Sequence, residues 1–247
     1  MRNLVALTIR ELKSFWYSSI AYVVGTVFLL MQGWVFWFLL SVLNDPRVDP
    51  TMTLANLFFN TMWFWFSILV MAPLLTMRSF SEEKRTGTIE VLLSAPVTEW
   101  QVVLAKFLGA WLSFCAYWLV TLIYFLMLRR FGPVAWAPVI ASYGFAALLG
   151  AAFVGLGIFC SSLTRNQVVA GFVTFMLVLL LFSFGLLSVF IKDPETLKIV
   201  RYVSLLDQTQ DFSKGLIDTR PIVYCLSLTV MWLFLAIRTI ALPRWRA

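Results

Sequence analysis

The chain has 247 residues, 61% of them hydrophobic and only 13% charged, against roughly 45–50% and 25% in an average soluble domain. Mean hydropathy is +0.89, and the absence of any histidine excludes imidazole base catalysis and the commonest metal ligand together. The net charge of +7 comes from 19 Lys and Arg that flank the apolar runs instead of clustering, which argues for anchors facing acidic lipid headgroups and against nucleic acid.

Residues 1–19 form one unit. Val5, Ile9, Leu12 and Trp16 fall on one helical stripe with Asn3, Arg10 and Ser14 opposite, the pattern of an amphipathic helix lying in a membrane interface. The apolar run that follows exceeds the core of a signal peptide and has no A-x-A cleavage pattern, so it is expected to stay attached as a first membrane helix. Residues 20–43 are uncharged, and these 24 positions span roughly 36 Å as a helix, enough to cross the hydrocarbon core. Asn44-Asp45-Pro46 and Asp49-Pro50 punctuate a short loop, and residues 54–77 make a second uncharged run with Pro73 placed to kink it.

Residues 78–101 are too polar to span. Ser79-Phe80-Ser81-Glu82 reads as a capping box opening a short charged helix that Gly87 should stop. From Thr88 a second short helix can set Ile89, Leu92 and Leu93 on one face with Glu90 off it, until Pro96 breaks it. Thr98-Glu99-Trp100-Gln101 is a second capping box, opening the third span at 102–128. Lys106 is the one charge in that span and is expected to snorkel to the interface. Two short helices around a glycine suit a docking element; the same residues also suit a loop whose apolar face rests in lipid headgroups.

Gly132-Pro133 turns the chain, and residues 139–163 and 168–191 are the fourth and fifth runs, joined by a four-residue link that only antiparallel neighbours tolerate. Ala147, Ala151 and Gly155 form a small-residue stripe suited to close helix packing within the protomer, with a dimer seam as the other reading. Residues 192–221 lie outside the membrane core, where Ile199, Val203 and Leu206 fit one face of an outer helix as well as a plain connector. Residues 222–242 complete six spans. The domain is thus an all-α polytopic membrane protein. Six crossings put both termini on one side; eleven Lys and Arg fall there against eight opposite, which favours cytoplasmic termini.

The spans lack an intramembrane carboxylate or a nucleophile–base pair, the usual marks of an ion-driven carrier or membrane protease. Gln32, Ser67, Ser113, Thr121, Ser142, Thr174 and Ser183 are neutral and expected to bond to backbone or a neighbouring helix. Cys115, Cys160 and Cys225 read as packing residues. No GxxxxGK[ST] loop occurs, so energy for any work must come from a partner.

The run Pro73 to Val97, PLLTMRSFSEEKRTGTIEVLLSAPV, resembles the ABC-2 family of transporter permeases, in which an E-x(2,4)-G-T-x-E-x-L-L-x-x-P element in the first cytoplasmic loop contacts the ATPase. The stretches Ser161 to Ala170 and Asp211 to Arg220 resemble the gliding-motility type branch, though Gln208 and Pro221 stand where that branch often has histidine and aspartate. The resemblance implies an ABC-2, type V exporter-like fold with a cytoplasmic coupling-helix loop at 78–101. It assigns ATPase coupling to Glu82, Glu83, Gly87, Thr88, Ile89, Glu90, Leu92, Leu93 and Pro96: the aliphatic side chains in a groove of the ATPase, the glutamates at its polar rim, and Gly87 setting the angle between the helices. It further implies a non-catalytic inner-membrane subunit without a cofactor of its own, ATP and Mg being held by two partner ATPase subunits. A second permease, identical or a paralogue, would complete the complex, and a gliding-motility type complex would add a protein with an extracytoplasmic domain. The alternative is an anchoring subunit that recruits the ATPase without translocating a substrate.

Overall fold

In a computed structural model, the structure describes residues 2–43, 53–88, 97–130, 134–187 and 203–241, together with 193, 195, 197 and 200. The described residues form ten helices: α1 Arg2–Trp16, α2 Ser19–Leu43, α3 Leu54–Asn60, α4 Met62–Thr76, α5 Ser81–Thr86, α6 Glu99–Leu128, α7 Trp136–Leu163, α8 Gln167–Leu186, α9 Leu205–Ser213 and α10 Thr219–Ala241. No strand occurs among them. Among the described residues six helical stretches are long and apolar enough to cross a membrane, and each overlaps one of the six expected runs, the second, Met62–Thr86, sharing only 62–77 with the expected 54–77.

Helix α7 is the centre of the bundle. It is the most buried of the six and packs against α4, α6, α8 and α10. Two members of the small-residue stripe have neighbours within the protomer: a Cβ on Gly155 would lie 3.6 Å from the Thr229 carbonyl and from Trp232 Cβ on α10, and the Ala147 carbonyl accepts a 2.9 Å bond from the Trp111 indole on α6.

The second span is broken. Thr61 is extended (φ −72°, ψ 152°) and ends α3; its hydroxyl caps α4 by accepting from Phe64 N–H at 3.3 Å. The broken-off α3 pairs with α9 from the 192–221 segment, stapled where Asn60 Nδ2 donates to Ser213 Oγ at 2.8 Å. Uncharged length alone does not reveal this break, because a threonine in a non-helical conformation costs no hydropathy. In α9 the buried residues are Leu205, Gln208, Thr209, Phe212 and Ser213, while Leu206 is half-buried. Of the Ile199–Val203–Leu206 face, Leu206 packs close to Gly185, Val203 is half-buried, and Ile199 lies outside the described residues. Residues 188–191 and 242, at the ends of two expected spans, also lie outside them.

Most neutral polar side chains of the described spans find partners, as intramembrane polar groups must; Ser142, expected to bond to backbone or a neighbouring helix, is the exception among the seven, its buried hydroxyl having no hydrogen-bond partner. Gln32 Nε2 donates to Ser67 Oγ across α2 and α4 at 3.1 Å, and Thr121 pairs with the Tyr143 hydroxyl at 2.7 Å. Ser113, Thr174 and Ser183 return their hydroxyls to carbonyls one turn back. The three cysteines are unpaired thiols, Cys160 and Cys225 buried and Cys115 half-buried.

Candidate functional site

Helix α1 lies along α6, and only the first half of the expected stripe faces away from the bundle. Thr8 is buried and Leu4, Leu7, Glu11 and Phe15 are half-buried, whereas Val5 and Ile9 remain about half exposed. Of the expected stripe Val5 and Ile9 are thus exposed, while Leu12 and Trp16 are half-buried, the Trp16 ring 5.2 Å from that of Tyr117 on α6; the face at i, i+4, i+7 and i+11 from Leu4 packs beside them. Gly109 permits the approach: a Cβ there would sit 3.0 Å from Glu11 Cβ.

At this junction is the group that hydropathy misplaces. Lys106 does not snorkel. Its side chain is 3% exposed, and its ammonium donates to Glu83 Oε1 at 2.7 Å and to Glu11 Oε2 at 3.3 Å. It also stands 5.2 Å from the centre of the buried Phe80 ring. One cation therefore joins α1, α5 and α6. A buried charge is tolerated only when paired, and here both acids come from elements outside the third span. No window confined to residues 102–128 contains them.

Helix α5 is held from a second side by the end of α7. Ser161 Oγ accepts from the backbone N–H groups of Phe80 at 3.0 Å and Ser81 at 3.1 Å, and donates to the Met77 carbonyl at 3.2 Å. Lys84 Nζ donates to the Ser162 carbonyl. These contacts replace the expected Ser79 capping box: the helix starts at Ser81, Phe80 occupies the cap without a side-chain bond, and a serine from another helix satisfies the N-terminal donors. The stop at Gly87 is as expected, with φ +74° in the left-handed region that glycine adopts freely. The second capping box is also present, Gln101 Oε1 accepting from Thr98 N–H at 3.3 Å.

Of the nine coupling residues expected from sequence, the structure brings Glu83 into the Lys106 junction. It leaves Glu82, Gly87 and Thr88 on the outer side of α5, half-buried at Glu82 and exposed at the other two. Ile89, Glu90, Leu92, Leu93 and Pro96 lie outside the described residues. Lys106, Glu11, Ser161 and Ser162 were not legible as site residues. The available hint was that Lys106 is the single charge in an otherwise uncharged run.

A family model described as ABC-2 family transporter protein matches residues 6–227. The chain belongs to the ABC-2 transporter family. No curated protein shows a significant match. The match includes α1 from residue 6, α5, the first five spans and the start of the sixth, so the Lys106 junction lies within the matched region. This transporter protein is accordingly a multi-pass membrane subunit.

Burial alone would raise the Glu11 carboxyl, but the Lys106 charge, with the hydrogen bond and charge of Arg10, holds it below its ordinary 4.5. A depressed folded-state value stabilises the junction above the unfolded value and loses that stabilisation as pH falls through the folded one. Thermal stability of the detergent-solubilised subunit is therefore expected to fall as pH drops below about 4.5. Glu11→Gln should flatten that part of the profile; an unchanged profile would show that Glu11 does not titrate with unfolding.

Proposed function

We propose that this ABC-2 membrane subunit is driven by a separate ATPase that docks on the 78–101 loop in the cytoplasm, where both termini also lie. The observation that carries the reading is the bracing of α5: ion-paired to α6 and, through the shared Lys106, to α1, and hydrogen-bonded to α7. A segment tied to three helices passes a displacement to all of them, and α7 is in contact with four of the spans. Closure of the ATPase pair on ATP would push α5 and rock the bundle between inward- and outward-open states. Two such permeases, identical or paralogous, and two ATPases make the working complex, with export as the direction and a gliding-motility type assembly as its setting. The anchoring alternative shares the dock and separates from transport when ATP hydrolysis in reconstituted membranes fails to respond to any substrate.

Leu92→Asp or Glu90→Lys is expected to abolish co-purification of the ATPase while the subunit still inserts and remains monodisperse, because each puts a charge of the wrong kind on the docking helix. Unaltered co-purification would remove the docking assignment and leave the loop as an interfacial element.

A further inference from the structure

Where α1, the α4–α5 connection and α6 converge there is a cavity of about 320 Å³, within the size range of small-ligand sites, roughly 300–1,000 Å³. Its walls are of two kinds. Phe15, Leu74 and Leu75 supply an apolar side, and Arg78, Glu82 and Glu83 a charged one. The cavity sits beside the interfacial helix α1, at the end of the bundle where span four meets α5.

The charged wall is only partly satisfied by the protein. Lys106 is fully engaged by Glu11 and Glu83, yet the second carboxylate oxygen of Glu83 is buried without a hydrogen bond. Glu82 has one partner, Arg85, at a long 3.9 Å, and its side chain is 43% exposed. Arg78 is exposed and makes no ion pair among the described residues. Two cations and three carboxylates line the cavity in all, counting Lys106 and Glu11. Arg10 and Arg85, just outside the lining, pair with Glu11 and Glu82, so what the protein leaves unmatched is the Arg78 guanidinium, the weakly paired Glu82 and the unbonded oxygen of Glu83.

That arrangement calls for a ligand with both signs. Carboxylate lone pairs need N–H donors, which a primary ammonium has and a quaternary ammonium lacks. A guanidinium matches phosphate through paired N–H bonds. We propose that this cavity is a specific seat for the headgroup of an aminophospholipid, its primary ammonium held by Glu82 and Glu83 and its phosphate by Arg78, with the acyl chains leaving past Leu74 and Leu75. An acidic lipid without an ammonium would place its phosphate on Arg78 but bring no counter-charge to Glu82 and Glu83, and a choline lipid could not donate to the carboxylates. The seat goes beyond the ATPase-coupling reading and does not depend on it. An occupant would bridge α1 and α5 beside the Lys106 junction.

The test is lipid retention by the intact subunit. Purified protein is equilibrated in mixed micelles of equimolar phosphatidylethanolamine, phosphatidylcholine and phosphatidylglycerol, stripped with excess detergent, and its retained lipid quantified by mass spectrometry. Phosphatidylethanolamine is expected to be enriched about fivefold over phosphatidylcholine, a value reduced from the tenfold of one full charge-assisted bond because Glu82 is partly solvated. Arg78→Ala and Glu82→Gln should each return the ratio towards that of the micelle, while Arg85→Ala, which frees Glu82, should keep or increase it. Equal retention of the three lipids on the wild-type protein overturns the proposal whether or not a variant folds. So does enrichment that neither Arg78→Ala nor Glu82→Gln changes. Displacement by soluble glycerophosphoethanolamine at concentrations comparable to those of the lipid overturns the membrane source and leaves a soluble phosphoamine as occupant.

Discussion

Lys106→Met is expected to destabilise the subunit by about 2–3 kcal/mol, as read from thermal or denaturant unfolding in detergent. The substitution keeps the length and the apolar stem of the side chain but removes the one positive charge between Glu11 and Glu83, whose side chains are only 20% and 21% exposed. Breaking a fully buried pair by removing one partner costs roughly 3–5 kcal/mol, and the residual exposure of the two glutamates lowers that figure. The loss comes from carboxylates left without a counter-charge and not from the value of the bonds themselves, so a second change should recover much of it. Lys106→Met combined with Glu83→Gln and Glu11→Gln is expected to be closer to wild type than Lys106→Met alone. A Lys106→Met protein as stable as wild type would mean that the ammonium reaches solvent after all.

The second large effect is steric, and it separates glycines on a single helix. A Cβ on Gly150 of α7 would lie 2.2 Å from Cε1, 2.5 Å from Cδ1 and 2.9 Å from Cζ of Phe114, a ring with no solvent exposure and so no open space to move into. A Cβ on Gly157 would lie 2.0 Å from Thr76 Oγ1 and 2.8 Å from Thr76 Cβ. Overpacking of this kind costs about 1–3 kcal/mol, offset in part by the ~1 kcal/mol by which alanine is the better helix former. Gly150→Ala and Gly157→Ala are each expected to lower stability by about 1–2 kcal/mol. Gly155→Ala and Gly144→Ala should be neutral or stabilising, since the nearest atoms to a new Cβ are 3.6 Å away at Gly155 and beyond 4 Å at Gly144. Phe114→Leu in the Gly150→Ala background should recover part of the loss. Equal effects at all four glycines would indicate that helix propensity, and not close approach to α4 and α6, decides their cost.

The same helix shows how a pattern in sequence can point to a contact and still miss the tight places. The Ala147–Ala151–Gly155 stripe meets α10 at Gly155 and α6 at Ala147, and its spacing is visible because it repeats every four residues. Gly150 ends a second such repeat, Ser142–Ala146–Gly150, and Gly157 belongs to none, so spacing does not separate the tight glycines from the tolerant ones. What makes Gly150 and Gly157 tight is a phenylalanine 36 residues earlier and a threonine 81 residues earlier, and nothing local encodes which bulky side chain will be opposite.

The amino-acid sequence by itself determined the six spans, the Gly87 stop, the Thr98–Gln101 cap and membership of an ABC-2-like pattern around residues 73–97. Each of these is local: a spanning length without charges, a residue free to adopt positive φ, a reciprocal cap four residues long. Only the tertiary structure decided the break at Thr61, the α3–α9 pairing, the Ser161 cap on α5 and the burial of Lys106. The physical reason is common to all four. The cost of an extended residue, an open helix start or a charge in an apolar helix is offset by partners far away in the chain. For Lys106 those partners are Glu11 and Glu83, 95 and 23 residues distant, and the fold alone brings them to one point.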